Sequence, residues 1–453
     1  MNYLRTIKAW YPFKKNSRIL NLKASECTSQ AEGVRGELFD YILLVLDRQQ
    51  ADLSHLKEFL APGGRLLVQF QNRFSLRYLC GAVDEEQKEP FANLNSGSRL
   101  WSRQTAKRRL EAEGFYILRD YYILPDDEFP QLILTDEGMP KDSIRDRLLP
   151  FDLYKSPLIA SEREMYDVML HEGMLPYVAD TYLLECVTDM SEKEIEPYVI
   201  YAALSLDRPA ESTAVTQIMS DDTVRKISGD SEKNTSLHAI HDNLGKLKAR
   251  GILTVPCEFR DDELVMPFIH EQPLMERIRD LLHRDQEAVV HIFEELYGNI
   301  LKSSALAASE RCAEEFGSLS DDSPILREGM IDMIPYNAFW SSKGIRYYDQ
   351  EFIVFNCPAK YILFRAIFYT WHHIIEAEDY LPRNKMFQHF GLEKTWELYE
   401  MREMNFIENL RQIGEFRKYH NGEADNWKAM QRRRRLLKAV GSVKTLTELE
   451  QLI

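Results

Sequence analysis

Asp332-Met-Ile-Pro-Tyr-Asn337, followed twelve residues later by Asp349 in Arg346-Tyr-Tyr-Asp-Gln-Glu-Phe352, decides how this chain is read. Between them Ser341-Ser-Lys-Gly344 is a turn, flanked by Ala338-Phe-Trp340 and Ile345-Arg-Tyr-Tyr348. That pattern predicts a β-hairpin. Closed around Ser342-Lys343, the hairpin sets Asn337 opposite Tyr348, with Asp349 next along. An amide oxygen and a carboxylate then share one end of it. Two such ligands, completed by phosphate oxygens and water, suit Mg²⁺. Asp332, on the loop before them, is the candidate acceptor of a proton from an attacking hydroxyl. An aspartate and an asparagine at this spacing are weak alone, and the bland alternative is a surface loop with capping polar residues. The hairpin and the third ligand favour the chemical reading.

The segments upstream extend the pattern. Tyr198-Val-Ile-Tyr-Ala-Ala-Leu204 and Ala214-Val-Thr-Gln-Ile-Met219 are rich in strand-forming residues, and Ser220-Asp-Asp222 is a turn. Thr223-Val-Arg-Lys-Ile227 makes a third strand, carrying Lys226. Leu237, Ile240, Leu244 and Leu247 then fall on one helical face, ended by Gly251. No acidic residue of that helix is placed to pair with Lys226: Glu232 is at its very start and Asp242 lies off the apolar face. Leu264-Val-Met-Pro-Phe-Ile269 reads as a buried strand running into a linker. Helices are expected at about 273–282 and 286–303, and again from Ala359 to about Ala377 behind Pro358. This order resembles a bilobed protein-kinase-like domain. The resemblance implies ATP and Mg²⁺ as cofactors, Lys226 on the nucleotide phosphates, Asn337 and Asp349 on the metal, and Asp332 as catalytic base. Two departures stand out. The first turn, Leu206-Asp-Arg-Pro-Ala210, has no glycine to let backbone amides approach a phosphate. Arg208 is the cationic substitute there. Gly329-Met-Ile331 also stands where kinases carry His-Arg.

The N-terminal third follows another plan. Arg18-Ile-Leu-Asn-Leu22 and Phe39-Asp-Tyr-Ile-Leu-Leu-Val-Leu46 read as strands. Leu53, Leu56 and Leu60 mark a helix ended by Pro62-Gly-Gly64, and Arg65-Leu-Leu-Val-Gln-Phe70 is a third strand. Strand, helix, Pro-Gly-Gly, strand resembles the latter half of a Rossmann-like class I S-adenosylmethionine-dependent methyltransferase. Within that class, Gln69–Ala82 and Tyr121–Leu134 look like a group fused to kinase-like domains in bacterial surface-polysaccharide (O-antigen-type) biosynthesis. The resemblance covers roughly residues 1–400 and implies a glycan or lipid-linked sugar acceptor. Only about sixteen residues separate the first two strands, too few for a strand–helix–strand unit. The turn Lys23-Ala-Ser-Glu-Cys-Thr-Ser29 has no glycine for the methionine cofactor. The methyltransferase-like domain therefore reads as truncated, and S-adenosylmethionine is not an expected cofactor. Asn72 and Arg73, just past a strand's carboxyl end, are candidate substrate contacts, with loop capping as the alternative.

Composition frames the rest. The chain has 453 residues, 44% of them hydrophobic, enough for two or three domains with proper cores. A net charge of −15 argues against nucleic acid as a partner. Six scattered cysteines with no Cys-x-x-Cys suit a reducing cytoplasm. Met1-Asn-Tyr-Leu-Arg-Thr-Ile-Lys8 has no signal-peptide core, and no stretch is long and apolar enough to span a membrane. Adjacent His372 and His373 point to different helical faces and make a poor metal pair. Arg432-Arg-Arg-Arg435 is first a solvated helix segment, and second a peripheral contact to anionic lipid.

The expected architecture is α/β plus α+β. A truncated Rossmann-like methyltransferase domain spans 1–187, a kinase-like phosphotransferase domain 198–394 and a charged helical tail 395–453. The expected protein is cytoplasmic, with peripheral membrane contact through Arg432–Arg435 as an option. Two rivals stay open. One is a non-catalytic scaffold for glycosyltransferases; the other is an active methyltransferase with an unusual cofactor site.

Overall fold

The computed structural model describes residues 7–24, 33–34, 36–46, 53–83, 91–94, 98–141, 143–144, 148, 160–190, 196–206, 208–209, 212–228, 235–307, 316, 323–374, 376–410, 435 and 441. The protein is mixed α/β, with eleven α-helices among the described residues. The chain divides into two compact units. Unit 1 includes Met1–Asp207 and Val215–Asp221; unit 2 is built from Arg208–Ala214 and Asp222–Ile413. Of the basic cluster at 432–435, all but Arg435 lies outside the described residues.

Unit 1 carries strands β1 (Ile19–Lys23), β2 (Phe39–Leu46), β3 (Leu60–Gln71), β4 (Tyr116–Leu124), β5 (Leu132–Leu134), β6 (Thr181–Val187), β7 (Val199–Leu204) and β8 (Ala214–Met219). Its helices are α1 (Leu76–Leu79), α2 (Arg103–Ala112), α3 (Glu162–His171) and α4 (Leu175–Val178). The sheet order is β1-β2-β3-β6-β4-β5-β7-β8. β1, β2 and β3 are parallel, and the pairings beyond β3 are antiparallel. The unbroken apolar run of β2 follows from its central place: Ile42 and Leu44 are fully buried in a core shared with Leu66, Val68 and Leu184.

One expected element is different. The helix read from Leu53, Leu56 and Leu60 is only a 3₁₀ turn, Leu56–Phe59, and β3 already begins at Leu60. Phe39 pairs with Leu60 but Tyr41 with Arg65, so Pro62-Gly-Gly64 is not a helix stop but an outward bulge of the strand. Gly63 supports the bulge at φ +73°. Elsewhere in this unit Gly138 is required by space. A Cβ there would lie 2.0 Å from the carbonyl oxygen of Ile200 in β7. Gly138→Ala is expected to cost about 1–3 kcal/mol, because the clash is with backbone that cannot rotate away. Chemical denaturation of the variant measures it.

Unit 2 contributes β9 (Thr223–Ser228), β10 (Leu253–Thr254), β11 (Glu258–Arg260), β12 (Glu263–Pro267), β13 (Gln272–Pro273), β14 (Ile325–Met330), β15 (Ala338–Ser341), β16 (Gly344–Tyr347) and β17 (Ile353–Pro358). Its helices are α5 (Thr235–Ala249), α6 (Leu274–Leu282), α7 (Gln286–Ser303), α8 (Ala359–His373), α9 (Ala377–Tyr380), α10 (Arg383–Phe390) and α11 (Trp396–Leu410). β12 pairs antiparallel with both β9 and β11. The helical face read on α5 is the buried one: Leu237, Ile240 and Leu244 pack with Leu264 of β12. Helix α7 starts where Asp285 accepts a hydrogen bond from the Ala288 amide at 3.0 Å. α7 and α8 enclose the main core with Phe293, Leu296, Ile362 and Ile367. β14 pairs with β17, and β10-β16-β15-β13 forms a small sheet of its own.

Candidate active site

The hairpin predicted from Ala338 to Tyr348 is present. β15 and β16 pair from Ala338↔Tyr347 to Ser341↔Gly344, leaving Ser342-Lys343 as a two-residue loop. The Tyr348 amide donates to the Asn337 carbonyl at 3.0 Å, so the register holds through the site end. Asn337 closes a single 3₁₀ turn, Pro335–Asn337. Its side-chain nitrogen donates to the Asp332 carbonyl at 3.3 Å, a bond that does not use Oδ1. Arg346 clasps Glu271 through two hydrogen bonds, at 2.7 and 3.0 Å, and pins the hairpin to the segment before β13.

Asp349 follows the hairpin in a left-handed conformation, at φ 54°. Aspartate tolerates this better than most residues, but the backbone remains strained by about 1 kcal/mol or more. Its neighbours hold it there. Gln350, fully buried, donates to the carbonyls of Asp332 at 2.9 Å and Tyr348 at 2.8 Å. Asn243 of α5 donates to the Gln350 carbonyl at 2.9 Å. Asp332 accepts at Oδ2 from the amides of Glu351 (3.0 Å) and Phe352 (2.8 Å).

Lys226 on β9 is nearly buried, and its ammonium group pairs with Oδ1 of Asp349, 123 residues away. The partner that the helix after β9 could not supply thus comes from the loop after the hairpin. Arg208 ion-pairs with Glu351 at 2.8 Å, two residues beyond Asp349. Glu351 also accepts from the Ser236 hydroxyl at the start of α5. Five of the residues singled out in the sequence, Arg208, Lys226, Asp332, Asn337 and Asp349, are therefore linked by direct contacts or through the short loop 349–352.

Asp332 is the buried centre of this group. Burial pushes its carboxyl up to about 6, against the pull of Arg365 and the Phe352 amide. Oδ2 is committed to the two amides. Oδ1 has only a 3.5 Å contact to Arg365. The Arg365 guanidinium donates to the Ile331 carbonyl and, through Nε, to Glu403 of α11 at 2.7 Å. Burial works against the charge of Glu403, but Arg365 and the hydroxyls of Tyr361 and Tyr369 hold it below the usual carboxylate range.

Asn72 and Arg73 belong to a separate place, past the end of β3 in unit 1. Asn72 is buried; its nitrogen donates to Tyr177 O, Ala179 O and the Tyr182 hydroxyl, and its oxygen accepts from the Phe74 amide. Its hydrogen-bonding groups are thus used inside the protein, as a cap for the chain leaving β3. Arg73 donates to the Leu94 carbonyl at 2.9 Å and lies over the Phe74 ring. Beside them are three acids that sequence reasoning missed. Asp180 is held by Ser75 at 2.6 Å and Arg77 at 2.9 Å, and Asp127 accepts from Gln69 at 3.0 Å. Burial and then Asp180 push Asp126 up to about 7.

In unit 2 the sequence reading missed Asn243, Gln350, Arg365 and Glu403. Two of these had a visible signal. Asn243 interrupts the apolar face of α5, and Arg365 sits inside the most apolar segment of the chain. Glu403 had none, since its role depends on a partner 38 residues away.

No protein-family model matches this chain, and no curated protein matches it either.

Proposed function

We propose that unit 2 is a kinase-like phosphotransferase that moves the γ-phosphoryl group of ATP to a hydroxyl, with a glycan or lipid-linked sugar as acceptor in cell-surface polysaccharide biosynthesis. One observation carries the reading: Lys226 and Asp349 meet, and the loop between Asp349 and Phe352 is clamped to Asp332, whose carbonyl also takes the Asn337 side chain.

The donor set fits Mg²⁺. Asn337 Oδ1 and the Asp349 carboxylate are hard oxygen ligands, and Mg²⁺ keeps several waters and phosphate oxygens of its own. Among the described residues no group of three or more His, Cys, Asp or Glu is arranged to hold a metal. A two-ligand magnesium site needs no such group. When bound, the metal supplies neutralisation of phosphate charge. Lys226, exchanging Asp349 for a phosphate oxygen, would fix the nucleotide. Arg208 would do the same from the glycine-free turn after β7. Asp332, anchored through Oδ2, would present Oδ1 to the acceptor. There it takes the hydroxyl proton as the new P–O bond forms and the bond to ADP breaks.

For unit 1, the parallel β1–β2–β3 arrangement supports a truncated Rossmann-like methyltransferase relative. We assign it a structural or docking role, and the protein a cytoplasmic one. Among the described residues no helix is long and apolar enough to cross a membrane. The scaffold alternative draws on the glycine-free phosphate turn.

The test is a transfer assay with γ-labelled Mg·ATP over a panel of glycan and lipid-linked sugar acceptors. Label should pass to an acceptor with the natural protein and fail with Lys226→Met. If the natural protein neither transfers label nor consumes ATP, the scaffold reading replaces this one.

A further inference from the structure

We propose that Arg365 and Glu403 are positioning residues for phosphoryl transfer: they form a buried relay through which the C-terminal helix α11 holds Asp332 in its working orientation. The inference rests on the phosphotransferase reading for its link to rate, but its geometry stands by itself.

Arg365 reaches both the backbone and the side chain of the candidate base. Its Nη1 donates to the carbonyl of Ile331, the residue before Asp332, and lies 3.5 Å from Asp332 Oδ1. An unanchored guanidinium on a long side chain would have many rotamers. This one is fixed at its other end by Glu403, 2.7 Å from Nε, and lies between the Tyr369 and Phe406 rings. Glu403 is fixed in turn by the hydroxyls of Tyr361 and Tyr369, at 2.7 and 2.5 Å. Glu403 is fully buried, and the Tyr361, Arg365 and Tyr369 groups that donate to its carboxylate all come from α8.

A purely structural ion pair could sit anywhere in this core. This one ends at the peptide preceding Asp332. Burying a charged pair carries a desolvation cost that well-packed apolar residues avoid. Retaining it here makes sense if the arginine's direction matters. The consequence is that the orientation of Oδ1, and so the rate, depends on α11, which lies outside the catalytic hairpin and its loop.

The experiment compares the natural protein with Glu403→Gln and with the double variant Arg365→Met/Glu403→Met. The double variant replaces the pair by apolar groups of similar volume, which buried pairs often tolerate. Glu403→Gln has one acceptor oxygen where the carboxylate has two, so it leaves at least one of the Tyr361, Tyr369 and Arg365 donors without its acceptor and weakens the relay without removing it; it serves if the double variant fails to fold. The first readout is amide hydrogen exchange at Glu351 and Phe352, whose amides bond Asp332. The second is kcat against KM for Mg·ATP. The relay requires exchange at those two amides to quicken at least about tenfold in the double variant, with helix α7 unchanged. It also requires kcat to fall by about tenfold or more with KM preserved, and Glu403→Gln to move exchange and kcat in the same directions by a smaller factor, about threefold. Unchanged exchange and unchanged kcat would overturn it. Faster exchange in a protein that transfers no phosphate would keep the relay and remove the phosphotransfer reading. Transfer with exchange unmoved would do the reverse.

Discussion

Asp332→Asn is expected to lower the turnover of the proposed phosphoryl transfer by about 10²–10⁴-fold, the usual worth of a positioned general base. The substitution is informative because it separates two roles that Asp332 combines. Asparagine keeps an oxygen able to accept from the amides of Glu351 and Phe352, so the loop bearing Asp349 stays where Lys226 and Asn337 need it. What is lost is the lone pair that takes a proton. Binding of Mg·ATP is therefore expected to survive while chemistry fails, and steady-state kinetics beside equilibrium binding measures both. If binding and turnover disappear together, Asp332 is a clamp and not a base.

Glu403→Ala has the largest expected effect on stability, about 3–5 kcal/mol, the range found when one partner of a buried ion pair is removed. Three donors lose their acceptor at once: the Tyr361 and Tyr369 hydroxyls and Nε of Arg365. The arginine then remains charged inside the core, beside Asp332 only at 3.5 Å. Denaturant unfolding followed by tryptophan fluorescence reads the loss, since Trp371 and Trp396 both pack against this core. A loss below about 1 kcal/mol would mean that water reaches Arg365, contrary to its burial.

The legible parts of the fold were local ones. The β15–β16 hairpin followed from a two-residue turn between alternating segments, and α5 from four leucine or isoleucine positions on one face. Both patterns are set by neighbours a few residues apart. Pro62-Gly-Gly64 misled because the same residues that stop a helix also make a bulge. The deciding fact, the skipped register between Phe39 and Tyr41 against β3, is a pairing with another strand. The site shows the same division. Asp332, Asn337 and Asp349 were singled out by their spacing around one hairpin. The partner of Lys226 was not, because nothing within α5 or β9 reports which distant carboxylate will face a strand lysine. Asn72 was read from its place after β3, and its place is right. Its chemistry is turned inward by Tyr177, Ala179 and Tyr182, all contributed from a segment more than a hundred residues later.

Calorimetric titration of the protein with Mg·ATP, repeated in EDTA and with Asp349→Ala, tests the central claim most directly. One site is expected, dependent on Mg²⁺ and abolished by Asp349→Ala, since that change removes both the proposed metal ligand and the resting partner of Lys226. Absence of binding at millimolar Mg·ATP, or binding indifferent to both EDTA and Asp349→Ala, would contradict the assignment of this site.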